Sequence, residues 1–468
     1  MRAAVSWAYG WEVFILANHQ TAEAASEQVP PRVSLGVALR FWLLLGLISF
    51  GGPAGQIALM QVELVDRRRW ISQRRFTQAL NFCLVLPGPE AQQLATYLGW
   101  LLHGTRGGVL AGVLFVLPSL FILAGLAWVY LAFGALPIVA GIFYGIKPAV
   151  VAVVCQAVQR LARRALRHRA LWAIAVAAFG AVFFLHVGFP WVLAGAALIG
   201  LAGARLAPAV WAGNSHPTAA AALIDDHTPR SAHTYFKWGR ALRVLAVGAA
   251  LWVFPMAILV ALTGWTSTFT QMAWFFTKAA LLTFGGAYAV LPYVYQSAVV
   301  NYHWVTPTQM IDGLALGETT PGPLIMVVAF VGFVAAYVEG RFGVDARPLA
   351  GAFGAALATW FTFLPSFVFI LLGGPLVESN FEAWQFDAPL AAIAAAVVGV
   401  MTNLAVFFVS HVLWPHGLAV APDWTALLIA GLTLLGLLRF KLRVTHAIAV
   451  SALCGWGAQA LGLVSHGL

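Results

Sequence analysis

"NFCLVLPGPEAQQLATYLGW", residues 81–100, is apolar enough to enter a bilayer, yet Pro87-Gly88-Pro89 cuts it in the middle. Proline lacks the N–H that a helix needs, and glycine weakens one. Interrupted backbone at membrane depth is tolerated only where it is buried in protein or lines a cavity. The same break returns at Pro321-Gly322-Pro323, within "LALGETTPGPLIMVVAFVGF", residues 314–333. A break that occurs twice asks for a reason.

Working outward from the two breaks exposes a duplication. "SFGGPAGQ" at 49–56 matches "TFGGAYAV" at 283–290, and an offset of 234 residues carries Phe50 onto Phe284, Trp70 onto Trp304 and the first Pro-Gly-Pro onto the second. After an insertion the offset becomes 247, and "LPS" at 117–119 meets "LPS" at 364–366. Ordered matches over about a hundred residues are the signature of an internal repeat.

Composition fixes the solvent. Of 468 residues, 61% are hydrophobic and only 9% charged, with a mean hydropathy of +0.86, against about 25% charged in a soluble domain. The net charge of +10 lies in short clusters between apolar runs, where it acts as a topology signal rather than a nucleic-acid surface. Cys83, Cys155 and Cys454 are far apart, without CxxC or histidine at ligand spacing, so neither a disulfide framework nor a metal site is supported.

The basic clusters distinguish the halves. Arg67, Arg68, Arg69, Arg74 and Arg75 match "VNYHWVTPTQ" at 300–309, which has no Lys or Arg. Arg160, Arg163, Arg164, Arg167 and Arg169 match "FFVSHVLWPH" at 407–416, again without Lys or Arg. The reverse holds for Arg439, Lys441 and Arg443 against "LHVGFP" at 185–190. Equivalent loops are therefore expected on opposite sides of the membrane.

The expected fold is an all-α polytopic membrane protein with two inverted-topology repeats and broken or re-entrant helices. Residues 1–34 are expected to be a cytoplasmic tail, because Glu12 interrupts their apolar run and argues against a signal peptide. Residues 35–206 form the first repeat, 207–239 a polar cytoplasmic linker, 240–262 a connecting transmembrane helix that inverts the second half, and 263–468 the second repeat.

Helices starting after the breaks would expose N–H groups and a partial positive charge, a natural anion site. Residues from Gly88 and from Gly322 are expected to begin two such helices that meet near the midplane, where inverted-repeat transporters hold substrate. Gly51-Gly52 and Gly285-Gly286 add breaks without side chains. Lys147 and Lys278 are candidate counter-charges for an anion, and equally candidates for snorkelling to an interface. A carboxylate beside an anion is repelled unless protonated, which makes Glu90 and Glu318 candidate proton carriers. Asp312, near an expected helix start, is assigned to capping. Gly99 is expected to serve only helix packing.

These elements, from "FGGPAGQIALMQVELVDRRRWISQRRF" through "LVLPGPEAQQLATYLGW" and "LPSLF" to "TFGGAYAVLPYV", "GLALGETTPGPLIMVVAFVG" and "LPSFVFI", resemble the long, two-domain members of the chromate ion transporters. The resemblance covers most of residues 35–410. It implies an inner-membrane protein that extrudes chromate, driven by the proton gradient, with halves of opposite orientation. Carried over by position, its motif falls on Phe50, Gly51, Gly52, Pro87, Gly88, Pro89, Gln92 and Gln93, then on Phe284, Gly285, Gly286, Pro321, Gly322 and Pro323. The second repeat departs from the first: Leu324 and Met326-Val327 stand where the first has Glu90 and Gln92-Gln93, so an asymmetric site is expected.

The partners expected are a chromate- or sulfate-like oxyanion, protons and the lipid bilayer, with no nucleic acid and no cofactor; a homodimer is compatible with the sequence. Sulfate import or exchange and a passive anion channel remain alternatives. A membrane enzyme is disfavoured, because no HExxH, nucleophile elbow or phosphate loop is present.

Overall fold

A computed structural model describes residues 33–49, 52–134, 136–206, 223–224, 233–284, 287–379, 387–415, 417 and 420–461. Phe50, Gly51, Gly285 and Gly286 lie outside the described residues, as do residues 1–32 and most of the linker. The described chain is all-α. Six of its helices are long and apolar enough to cross a membrane, and four shorter apolar helices accompany them. It is a polytopic membrane protein.

The first repeat begins with α1 (Leu35–Ile48), α2 (Gly52–Gln61), α3 (Gln73–Val85) and α4 (Glu90–Phe133), followed by α5 (Pro137–Ala165), α6 (Arg169–Phe183) and α7 (Phe189–Leu206). α8 (Trp238–Thr263) is the added apolar helix. The second repeat runs α9 (Thr268–Leu281), α10 (Ala287–Tyr295), α11 (Pro307–Thr319), a 3₁₀ turn and α12 (Val327–Glu339), then α13 (Arg347–Ser379), α14 (Asp387–Leu413), α15 (Trp424–Arg439) and α16 (Val444–Ala460).

The duplication holds at single-residue detail. Six-residue π turns follow α2 at Val62–Arg67 and α10 at Gln296–Asn301. Each is followed by a non-glycine residue in the left-handed region, Arg69 (φ 49°) and His303 (φ 53°). The next helix is capped in both cases: the Ser72 side chain accepts from the Arg75 N–H, and Thr306 forms a capping box with Gln309. Phe41 packs its ring on Trp70 at 5.4 Å, and the equivalent Phe275 packs on Trp304 at 5.6 Å.

These contacts bend each repeat into hairpins. Phe41, half-way along α1, touches Trp70 beyond the end of α2, so α1 and α2 enter and leave on one side. α3 and the first part of α4 form a second hairpin with Pro-Gly-Pro at its tip. α4 then turns at His103 (φ −136°) and Gly104 (φ 63°), and its remainder crosses the molecule. The His103 ring nitrogen Nε2 lies 2.8 Å from the Val33 carbonyl, which joins the feet of both hairpins. In the second repeat, stacking of Phe269 on Phe342 at 5.8 Å joins the equivalent feet.

α13 connects one set of feet to the other. Its 33 residues, about 50 Å at 1.5 Å per residue, begin beside the Gly340 turn and end where Glu378 pairs with Arg75 at the foot of α3. The crossing part of α4 runs the other way, from Gly104 to Tyr130, which donates to Asp312 of α11 at 2.9 Å. Each crossing helix therefore packs its far end against the other repeat's Pro-Gly-Pro hairpin. The remaining helices also exchange partners between repeats: α15 and α16 pack on α5, while α6 and α7 pack on α14. Glycines allow the closest of these approaches. A Cβ on Gly145 would meet Gly455 of α16, and one on Gly200 would meet Pro389 of α14.

Candidate functional site at the helix breaks

Each Pro-Gly-Pro break is bonded to the opposite repeat. The Gly88 N–H donates to the Thr283 carbonyl at 2.7 Å, and the Gly322 N–H donates to the Ser49 carbonyl at 2.9 Å. These bonds are related by the 234-residue offset, so each Pro-Gly-Pro is tied to the residue that precedes the Phe-Gly-Gly of the opposite repeat. Gly88 (φ 129°) and Gly322 (φ 106°) hold a backbone conformation that glycine adopts without penalty, which explains the glycine between the prolines.

A second reciprocity involves the two "LPS" elements. A Cβ on Gly322 would fall 2.5 Å from Ser119 Cβ and 2.9 Å from its Oγ. A Cβ on Gly88 would collide with Ser366 Oγ and the Gln93 amide. Ser119 lies on the crossing part of α4 and Ser366 on α13, so each crossing helix presents a hydroxyl to the other repeat's break. Gln56 Nε2 donates to the Gly322 carbonyl, and Gln93 Nε2 to the Pro87 carbonyl at 2.7 Å. Tyr288 joins the Gly-Gly breaks: its hydroxyl lies 3.1 Å from where a Cβ on Gly52 would be, and donates to Glu318 at 2.7 Å.

Buried polar atoms without a partner concentrate here. Ser49 Oγ, Ser119 Oγ, Ser366 Oγ, Gln56 Oε1, Gln92 Oε1 and Gln93 Oε1 have no hydrogen-bond partner, and none of these side chains is more than 1% exposed. Such atoms in low dielectric cost about 1–3 kcal/mol each. The hydroxyls of Ser49, Ser119 and Ser366 can rotate, whereas Gln56 and Gln93 keep their NH₂ groups on the Gly322 and Pro87 carbonyls. Free hydroxyl donors beside the breaks suit an oxyanion, whose oxygens accept hydrogen bonds.

The sequence expectations fare unequally. α4 starts at Glu90 and the second-repeat helix at Leu324, each immediately after its break. The N–H groups of Gly88 and Gly322 themselves are engaged across the repeats, so any anion contact falls to the next N–H groups and the side chains. Glu90 occupies the first turn of α4, buried, where a carboxylate complements the helix dipole. The second-repeat start is apolar, with Leu324, Ile325 and Met326 all buried. Gln92 faces Gly112 and donates to Thr96 at 2.9 Å.

The two lysines are not brought to the breaks. Lys147 Nζ is 3.8 Å from Asp312 Oδ2, and Lys278 Nζ lies over the Trp274 ring at 5.7 Å. Asp312 is not a cap. Thr306 caps α11, and Asp312 sits in mid-helix and buried, because the helix starts at Pro307, five residues earlier. Gly99 does more than pack one helix: a Cβ there would meet Ala111 Cβ at 2.5 Å and the Gly107 carbonyl at 2.6 Å across the His103–Gly104 turn. Sequence reasoning missed Ser119, Ser366 and Tyr288 as site residues, although the repeated "LPS" was the signal that could have found the serines.

A family model described as chromate transporter matches residues 37–201 and 270–456, both halves in turn. The chain belongs to the chromate transporter family. It is 35% identical over 446 residues to a chromate transport protein of Pseudomonas aeruginosa, covering 93% of this chain and 95% of that one. It is 28% identical over 454 residues to a chromate transport protein of Cupriavidus metallidurans, covering 96% and 97%. A probable chromate transport protein of Synechococcus elongatus is 27% identical over 379 residues, covering 81% of this chain and 85% of its own. No solved structure matches.

Proposed function

We propose that this chain is a secondary transporter that exports chromate across the inner membrane, with substrate held where the four breaks meet. The observation that carries this reading is the reciprocal presentation of the Ser119 and Ser366 hydroxyls, buried and without a hydrogen-bond partner, to Gly322 and Gly88. Family membership supports chromate as the substrate. The lack of exposure of these side chains marks an occluded state, in which movement of one repeat against the other must open a path.

Inverted topology is part of the proposal. It is supported by α13 running between the two sets of hairpin feet and by the arginine asymmetry of matched loops. Leu223 and Ile224 of the linker bond to the backbone around Arg69–Ser72, which fits a shared cytoplasmic face for the linker and that loop. An inside-negative potential drives a divalent anion outward by about 4.6 kcal/mol per 100 mV, twice the value for one charge. Protons couple to the cycle through a buried carboxylate.

Uptake of radiolabelled chromate into inverted vesicles, with imposed potential and pH gradients and competing sulfate, tests this reading. Accumulation that responds to both gradients and is lost in Ser119→Ala/Ser366→Ala supports it. Flux insensitive to both serines places substrate elsewhere, and flux insensitive to both gradients leaves an uncoupled pore.

A further inference from the structure

A second buried polar cluster lies away from the breaks. Asp312 of α11, 1% exposed, accepts a hydrogen bond from Tyr130 of α4 at 2.9 Å on Oδ2. Lys147 of α5 approaches the same oxygen at 3.8 Å, beyond a good hydrogen bond. Asp312 Oδ1 is buried with no partner. Lys147 is the charge and Tyr130 the titratable hydroxyl that act on Asp312 among the described residues, and α12, α14 and α16 bring neither. The Phe330 ring of α12 lies 5.6 Å from Tyr130.

A settled buried ion pair satisfies both carboxylate oxygens, because leaving one bare forfeits much of what offsets desolvation. Here one oxygen is bare and the cation stands off, a geometry that suits a carboxylate able to take a proton on Oδ1. The arrangement has no counterpart in the other repeat, where Gln78 occupies the position equivalent to Asp312. Glu318, by contrast, is tied to Tyr288 beside the breaks, and Glu90 serves a helix start.

We propose that Asp312, Lys147 and Tyr130 form the proton site of this transporter, linked to oxyanion binding through Lys147. A proton from water adds to Asp312 Oδ1, neutralising the carboxylate. Lys147 then loses its counter-charge, and its unbalanced positive charge favours an anion held by the breaks, to which Asp312 is connected through two turns of α11. Proton and anion thus bind together rather than in competition. The inference rests on the transport reading above.

The test uses the purified, full-length protein in lipid nanodiscs and measures radiolabelled chromate affinity from pH 5 to 9 for wild type and Asp312→Asn. Chromate is itself a weak base, so the readout is the difference between the two proteins. One linked proton makes wild-type affinity rise roughly tenfold for each pH unit of acidification, relative to the variant, across the titration range. Asp312→Asn is expected to bind with high affinity at every pH. If both proteins bind chromate with the same pH dependence, Asp312 is not the site, and the transport reading stands. If wild type binds no chromate, the transport reading falls with it. Should Asp312→Asn fail to elute as a folded species, Tyr130→Phe decides: removal of the hydroxyl must move the midpoint of the pH dependence, and an unmoved midpoint overturns the proposal.

Discussion

Replacing Gly322 with alanine attacks the junction at its tightest point. The backbone there has φ 106°, and a methyl group would sit 2.5 Å from Ser119 Cβ. Left-handed backbone costs an alanine about 1–2 kcal/mol, and forcing a methylene into a packed site costs about 1–3 kcal/mol more. The expected loss is about 2–5 kcal/mol, a large share of the roughly 5–15 kcal/mol that holds a domain folded. Thermal unfolding in nanodiscs should show a clear drop in midpoint, and vesicle transport should fall at least tenfold. The two components can be separated. Ser119→Gly removes the colliding atoms, so Gly322→Ala/Ser119→Gly should recover the packing part, about 1–3 kcal/mol, and leave the backbone part. Gly125→Ala, with open space at its Cβ, is the control and should be neutral. Wild-type stability in Gly322→Ala, or no recovery in the double variant, would refute the reciprocal packing of break and crossing helix.

Arg75→Ala should destabilise by about 3–5 kcal/mol, because it strands Glu378, which is buried between Arg75 and the Tyr97 hydroxyl; Arg75→Met/Glu378→Met should cost less, as thermal unfolding would show. Gly99→Ala should lower the unfolding midpoint while leaving chromate affinity intact, since its collision lies in the His103–Gly104 hairpin rather than at the breaks. In the linker, burial against Trp100 pulls the His233 imidazole below its ordinary value of 6.5, so folding favours the neutral ring. That contribution is complete above 6.5 and is lost as pH falls below it, so proteolysis of the linker should accelerate between pH 7 and 5.5 in wild type and less so in His233→Gln. Single cysteines at residues 67–75 should label from the cytoplasmic side and those at 301–308 from the outside.

The repeat, the broken helices and the added helix after the linker were legible because glycine, proline and arginine act locally: they break helices or set topology wherever they stand. The offset of 234 residues even carries the π turns and the left-handed Arg69 and His303. What the sequence hid were contacts between repeats. Asp312 looked like a cap because Pro307 was not recognised as the first residue of its helix, and its partners Tyr130 and Lys147 lie more than 160 residues away. Gly99 was expected only to pack its helix, because nothing in the sequence shows that the turn at His103–Gly104 brings Gly107 against it. Ser119 and Ser366 were visible as a repeat but not as ligands, since a lone serine in a membrane helix usually bonds its own backbone. Here neither hydroxyl does.

An oxyanion held at the junction of the breaks can be located directly. Chromium scatters anomalously, so crystals of the protein grown with chromate would locate the ion without reference to any transport assay. One anomalous peak is expected within hydrogen-bond reach of Ser119 and Ser366, lost in Ser119→Ala/Ser366→Ala. A peak at Lys278 or elsewhere on the lipid-facing surface, with the junction unchanged and empty, would contradict it.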